Sequence, residues 1–132
     1  MADKKVLADT SLLLDFFRKS NKSNSKLISL LDDGYSFCIS TITEFEIYTG
    51  VKKKEEIDYW KKLLENIEVF SFDSNAAMEA VKIDKSLKLK SKQIAKPDLF
   101  IAAVAMSNNL PVATLNKKHF DRIDDLLLID IK

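Results

Sequence analysis

At 132 residues the chain has room for one domain with one core, since a domain of this size buries roughly two thirds of its unfolded surface. Hydrophobic residues at 46% and charged residues at 31% exclude a disordered or fibrous chain, and 21 basic against 20 acidic residues exclude attraction of nucleic acid by net charge, leaving that task to a local patch. No apolar run approaches the roughly 20 residues that span a bilayer and no secretory apolar segment opens the sequence, so no membrane association and a cytoplasmic location are expected.

The first predicted strand is Val6-Leu7-Ala8, closed by Asp9-Thr10-Ser11 and followed by a helix rich in Leu12, Leu13, Leu14, Phe16 and Phe17. After the polar break of residues 19–25, Leu27, Ile28, Leu30 and Leu31 mark a second helix that stops at Asp33-Gly34, where glycine suits the left-handed residue beyond a helix. Tyr35 to Ile39 reads as the second strand and holds the one cysteine, Cys38, which excludes an intrachain disulfide or a thiolate zinc cage and reads as a buried thiol. From Ser40 to Glu44 a helix opens, breaks near Gly50 and resumes from Glu55 through Trp60 to Leu64, a helical hairpin.

Ile67 to Phe72 is the third predicted strand, and Ala76 to Leu89 is a helix with lysines along one side. Pro97 suits the start of a helix, where its missing N–H has no intrahelical partner, and Leu99 to Met106 is apolar almost all round, as a buried helix is. Leu110 to Leu115 is a fourth strand, and a turn of helix near His119 leads to a candidate fifth at Leu126 to Ile131. Strands alternating with helices predict an α/β fold, a parallel four- to five-stranded sheet covered by helices on both faces in a single domain over residues 1–132.

In such a sheet a ligand site lies beyond the carboxyl ends of the strands. Asp9 follows the first strand, Glu44 falls in the first helical turn after the second, Asp98 opens the helix before the fourth, and Asn116 follows that fourth strand. Each has a structural alternative. Asp9 can cap the helix from Thr10, Thr41 to Glu44 has capping-box spacing, and Asp98 can complement a helix dipole. Together they predict one pocket. Two carboxylates about 4 Å apart repel by on the order of 4 kcal/mol at an effective dielectric near 20, so the group must take up protons or hold a cation. A hard, oxygen-preferring ion such as Mg²⁺ or Mn²⁺ answers that need.

Four stretches carry a likeness to a known family: Leu7 to Ser11, Ile39 to Glu46, Pro97 to Ala103 and Ala113 to Phe120. In their order and spacing the sequence resembles PIN-domain nucleases, particularly the VapC-like toxins of toxin–antitoxin pairs. The resemblance implies a PIN-like three-layer fold and a metal-dependent endoribonuclease. It further implies Asp9, Glu44 and Asp98 as catalytic metal ligands, with Thr10, Ser11 and Thr114 as supporting hydroxyls. Where family members commonly place a fourth acidic residue this chain has Asn116 and the single histidine, His119, with Asp121 only after Phe120. An RNA substrate, a homodimer and a small antitoxin covering the acidic pocket are implied in the same way. Hydrolysis by metal-activated water would leave 5′-phosphate and 3′-hydroxyl ends.

The lysines Lys82, Lys85, Lys88, Lys90, Lys92 and Lys96 lead toward Asp98 and read either as a phosphate track or as a solvated helix face. Two other function classes compete. One is a receiver-like Mg²⁺-binding signalling domain, with Asp73 after the third strand as phosphoacceptor. The other is a catalytically silent PIN-like module that binds RNA or protein.

Overall fold

Residues 4–132 are described by a computed structural model. The strands β1 (Lys5–Ala8), β2 (Ser36–Ser40), β3 (Val69–Phe70) and β4 (Val112–Ala113) form one sheet in the order β3-β2-β1-β4, with every pairing parallel. Around it run helices α1 (Thr10–Arg18), α2 (Lys26–Asp32), α3 (Thr41–Thr49), α4 (Lys54–Leu64), α5 (Ser74–Leu89), α6 (Lys96–Ser107) and the single turn α7 (Lys117–Phe120). The strand–helix alternation expected from the sequence is thus realised, including the hairpin of α3 and α4 on either side of Gly50.

Side chains alternate across a strand, and the core divides accordingly. Leu7, Cys38 and Val112 face α5 and α6, where Ala80, Ile83, Leu99, Ala103 and Val104 are buried with Phe120 of α7. Val6, Ala8, Ile39 and Ala113 face the other side and pack with Leu12, Leu13, Leu27, Leu30, Ile47 and Trp60 from α1 to α4. Both faces of the sheet are covered, which is why its strands read as continuous apolar runs.

Local chemistry sets the element ends. Gly34 takes φ +93 after α2, with Gly34 N–H donating to Leu31 O at 3.0 Å and Tyr35 N–H to Leu30 O at 3.3 Å, a Schellman closure that only a residue without Cβ adopts freely. Ser40, not Thr41, caps α3, its Oγ accepting from Thr43 N–H at 3.2 Å. The capping box read from Thr41 to Glu44 is therefore displaced by one residue, and Glu44 has no place in it. Asp73 caps α5 by accepting from Ala76 N–H at 2.9 Å.

Three strand expectations shrink. Pro111 has no N–H to give the ladder, so β4 begins at Val112, although Pro111 O still accepts from Leu7 N–H at 2.8 Å. After Phe70 the chain leaves the sheet, and Phe72 N–H goes to Thr41 Oγ1 at 3.1 Å. The candidate fifth strand is reduced to one parallel bridge between Val112 and Leu128.

Cys38 is fully buried beside Val6 O, at 3.4 Å, and burial pushes its thiol up to about 11, partly opposed by the Lys5 charge. Native protein at about pH 8 should resist alkylation by iodoacetamide and react once unfolded in urea, because thiolate is the nucleophile. Mass spectrometry of the two reactions checks this; equal labelling rates would contradict it.

Candidate active site

The carboxyl ends of the strands open into a cleft of about 680 Å³, and β1, in the middle of the sheet, delivers Asp9 to its floor. Asp9 N–H is tied to Ala113 O of the neighbouring strand at 3.0 Å. Its side chain is buried at 2% exposure, and each carboxylate oxygen accepts one hydroxyl: Ser11 Oγ–H to Oδ1 and Thr114 Oγ1–H to Oδ2, both at 2.6 Å.

Those hydroxyls are themselves aimed by backbone donors. Leu115 N–H donates to Ser11 Oγ at 3.0 Å and Asn116 N–H to Thr114 Oγ1 at 2.8 Å. An N–H can only donate, so each hydroxyl accepts there and sends its own proton to Asp9. The turn after β4 thereby fixes the carboxylate on β1. Desolvation raises the Asp9 pKa, the hydrogen bonds from Ser11, Thr114 and the Leu12 backbone pull it down, and the charge of Asp98 raises it again; the net shift is upward.

Asp98, in the first turn of α6, also lines the cleft. Its Oδ2 lies 3.1 Å from His119 Nδ1. Asn116, the N-cap residue of α7, lines the cleft beside them. Thr10, expected as a supporting hydroxyl, donates to Glu46 Oε1 at 2.6 Å and lies 3.1 Å from the Thr43 hydroxyl.

The acid that α3 contributes to the cleft is Glu46 and not Glu44. A helix turns about 100° per residue, so positions two apart point in nearly opposite directions. Thr43 and Ile47 face inward from this helix, Glu44 and Glu46 flank that buried line on opposite sides, and Glu46 is on the side toward α1, where Thr10 donates to it. Glu44 instead faces its i+4 neighbour Tyr48, whose hydroxyl pKa is raised by desolvation and by the Glu44 charge. The expected convergence of Asp9, Glu44 and Asp98 is therefore not realised. The buried pair Thr43 and Ile47 leaves Glu44 and Glu46 equivalent, so the choice between them is made by the contact of α3 with α1, through Thr10 and Glu46, and no local pattern carries it.

Among the described residues no three His, Cys, Asp or Glu side chains form a ready-made metal cage. The donor chemistry nonetheless fits a hard divalent cation: Asp9 and Asp98 feel each other's charge, and every neighbouring ligand atom offered by Glu46 and Asn116 is an oxygen or an amide. Such ions are held by one or two carboxylates with water completing the shell.

Arg18 and Lys19, at the end of α1, also line the cleft, with Asp15 paired to Lys19 at 3.7 Å, and the sequence reading did not single them out. Three of the six lysines leading to Asp98 are paired: Lys88 and Lys96 with Asp84 at 2.9 and 3.6 Å, and Lys90 with Asp124 at 2.6 Å. That favours the solvated-face reading of the row. Asp73, spent on capping α5, lies outside the cleft lining.

The family model described as PIN domain matches residues 6–126. Ribonuclease VapC1 of Methanocaldococcus jannaschii is 31% identical over 123 residues, covering 93% of this chain and 84% of that protein. Among solved structures, DNA-bound VapBC from Salmonella typhimurium superposes with a TM-score of 0.83 at 26% identity, covering 98% of both chains. A toxin–antitoxin complex from Klebsiella pneumoniae shares the fold with a TM-score of 0.74 at 24% identity, over 92% of this chain and 95% of that one.

The upward shift of Asp9 makes stability pH-dependent. A carboxyl whose folded pKa lies above its ordinary 3.8 contributes stability that is complete below 3.8 and is lost as pH rises through the folded value. In chelator, urea unfolding should show the parent gaining on Asp9→Asn as the solution is acidified from about pH 7 toward about pH 4. A difference that does not vary with pH would contradict this assignment.

Proposed function

The chain belongs to the PIN-domain family, and from that premise we propose that it is a divalent-metal-dependent endoribonuclease, the toxin of a toxin–antitoxin pair. The observation that carries the chemistry is the cleft itself, which Asp9, Glu46 and Asp98 line together with Arg18 and Lys19. Acids that hold a cation beside bases that hold phosphate suit a phosphodiester and suit few neutral substrates.

Asp9 and Asp98 are the residues that would hold the ion, Mg²⁺ or Mn²⁺, with Glu46 and Asn116 binding through water. The ion, when bound, supplies Lewis-acid polarisation of the scissile phosphate and a more acidic water. The chain's own contribution is orientation. Ser11 and Thr114 hold both Asp9 oxygens so that its remaining lone pairs face the cleft. Thr10 occupies Glu46 Oε1, which leaves Oε2 to orient water and receive its proton. Arg18 neutralises a flanking phosphate, while Lys19 is shared with Asp15 at 3.7 Å. Water as nucleophile leaves 5′-phosphate and 3′-hydroxyl ends and requires nothing of the 2′-hydroxyl, so the preference for RNA comes with the family.

The partner in this reading is a small antitoxin. An apolar groove lined by Leu14, Phe17, Ile47, Val51 and Trp60 adjoins the cleft and shares Leu14, Arg18 and Glu46 with it. A helical segment seated there would reach the acids directly, which makes binding and inhibition one event. A second apolar groove, containing Phe72, Val81, Leu99 and Phe100, supports a homodimer. No helix among the described residues is long and apolar enough to cross a membrane.

Cleavage of RNA should be abolished by EDTA and restored by Mg²⁺ or Mn²⁺. Asp98→Asn and Glu46→Gln should each lower kcat by roughly a hundredfold or more without loss of folded protein, whereas Glu44→Gln should stay near the parent. Chelator-resistant cleavage, or a loss at Glu44 with none at Glu46, would sink this assignment of the site.

A further inference from the structure

One short segment after β4 reaches both carboxylates of the cleft. Thr114 donates to Asp9 Oδ2, and His119, five residues later, lies against Asp98 Oδ2 at 3.1 Å. The ring is not loosely placed. Its neighbour Phe120 is fully buried, Lys117 is hydrogen-bonded to Asp130, and His119 N–H closes the turn onto Asn116 O at 3.0 Å. Arg122 Nη1 donates to Gln93 O at 2.9 Å, tying the residues after α7 to the loop that leads into α6, the helix that carries Asp98.

A carboxylate oxygen accepts, so the shared hydrogen sits on Nδ1. The cleft lining includes Asp98 and Asn116 but not His119, so the imidazole meets Asp98 from outside the space that substrate would fill. A group placed there acts through the acid it touches. Carboxylates that bind metal are themselves oriented by hydrogen bonds from outside the ligand shell, and loss of such a partner weakens metal binding.

We propose that His119 is a positioning residue for Asp98: its Nδ1–H holds Oδ2 and turns Oδ1 toward the cleft. With Thr114 it makes residues 114–119 a frame that sets the spacing between Asp9 and Asp98. This rests on the nuclease reading above and adds to it a residue that the reading does not itself use.

The test is Mn²⁺ binding by calorimetry without RNA, alongside RNA cleavage. His119→Ala should weaken Mn²⁺ binding by roughly ten- to a hundredfold and lower kcat, with an unchanged melting temperature because the side chain is half exposed. His119→Asn, whose amide nitrogen falls near the place of Nδ1, should restore most of the affinity; His119→Gln, whose nitrogen reaches toward Nε2, should not. Because the chain has a single histidine, a long-range ¹H–¹⁵N spectrum of the neutral ring reports its tautomer without ambiguity. Nδ1–H is expected in the parent, reverting toward the ordinary mixture in Asp98→Ala.

A parent that binds Mn²⁺ and cuts RNA while His119→Ala does both equally well overturns the positioning role alone, as does rescue by Gln equal to rescue by Asn. A parent that neither binds Mn²⁺ nor cuts RNA overturns the nuclease reading and this inference with it.

Discussion

A carboxylate buried at the end of the central strand is the constraint around which this molecule is arranged. Asp9 is 98% removed from solvent by its 2% exposure, and an ionised group in that position is unfavourable unless hydrogen bonds or a cation compensate it. The chain supplies the hydrogen bonds from two directions, Ser11 in the helix that follows and Thr114 at the end of the adjacent strand. Pairing of β1 with β4 is therefore as much a requirement of the site as of the core. Burial outweighs these hydrogen bonds and holds the Asp9 carboxyl above its ordinary range, a cost that a bound cation would offset.

The two faces of the sheet serve different ends. Beneath α5 and α6 the packing is apolar and continuous, and α6 is buried on nearly every side, so that Asp98 emerges from a rigid element. The face under α1, α3 and α4 is buried near the strands but gives way at its edge to a groove that runs into the cleft. Arg18 and Glu46 stand at the junction of groove and cleft. In the proposed reading, residues at that junction would serve catalysis and partner recognition at once, because the same side chains line both spaces.

Helical phase explains the error at Glu44. Its position just past β2 satisfies the rule that sites lie beyond strand ends, but that rule specifies a location and not a direction. Direction follows from how the helix is rotated against its neighbours, and two residues along a helix is a turn of about 200°, so when Glu46 meets Thr10 at the cleft Glu44 points away from it, toward Tyr48. The lysine row, which the sequence left open between two readings, is paired in part by Asp84 on the same helix, four residues before Lys88, and in part by Asp124, which only the fold brings to Lys90.

By itself the sequence determined the order of strands and helices, the parallel sheet covered on both faces, and the places of Asp9, Asp98 and Asn116, because apolar periodicity, glycine and proline act over a few residues and strand ends are marked locally. Only the tertiary structure decided that Glu46 is the third acid lining the cleft, that Arg18 and Lys19 line it too, that the expected fifth strand is a single bridge, and that His119 meets Asp98. Those are relations between side chains brought together across the fold, by helix rotation and by contacts tens of residues apart. Distances and directions of that kind are set by how the elements pack, which no local pattern encodes.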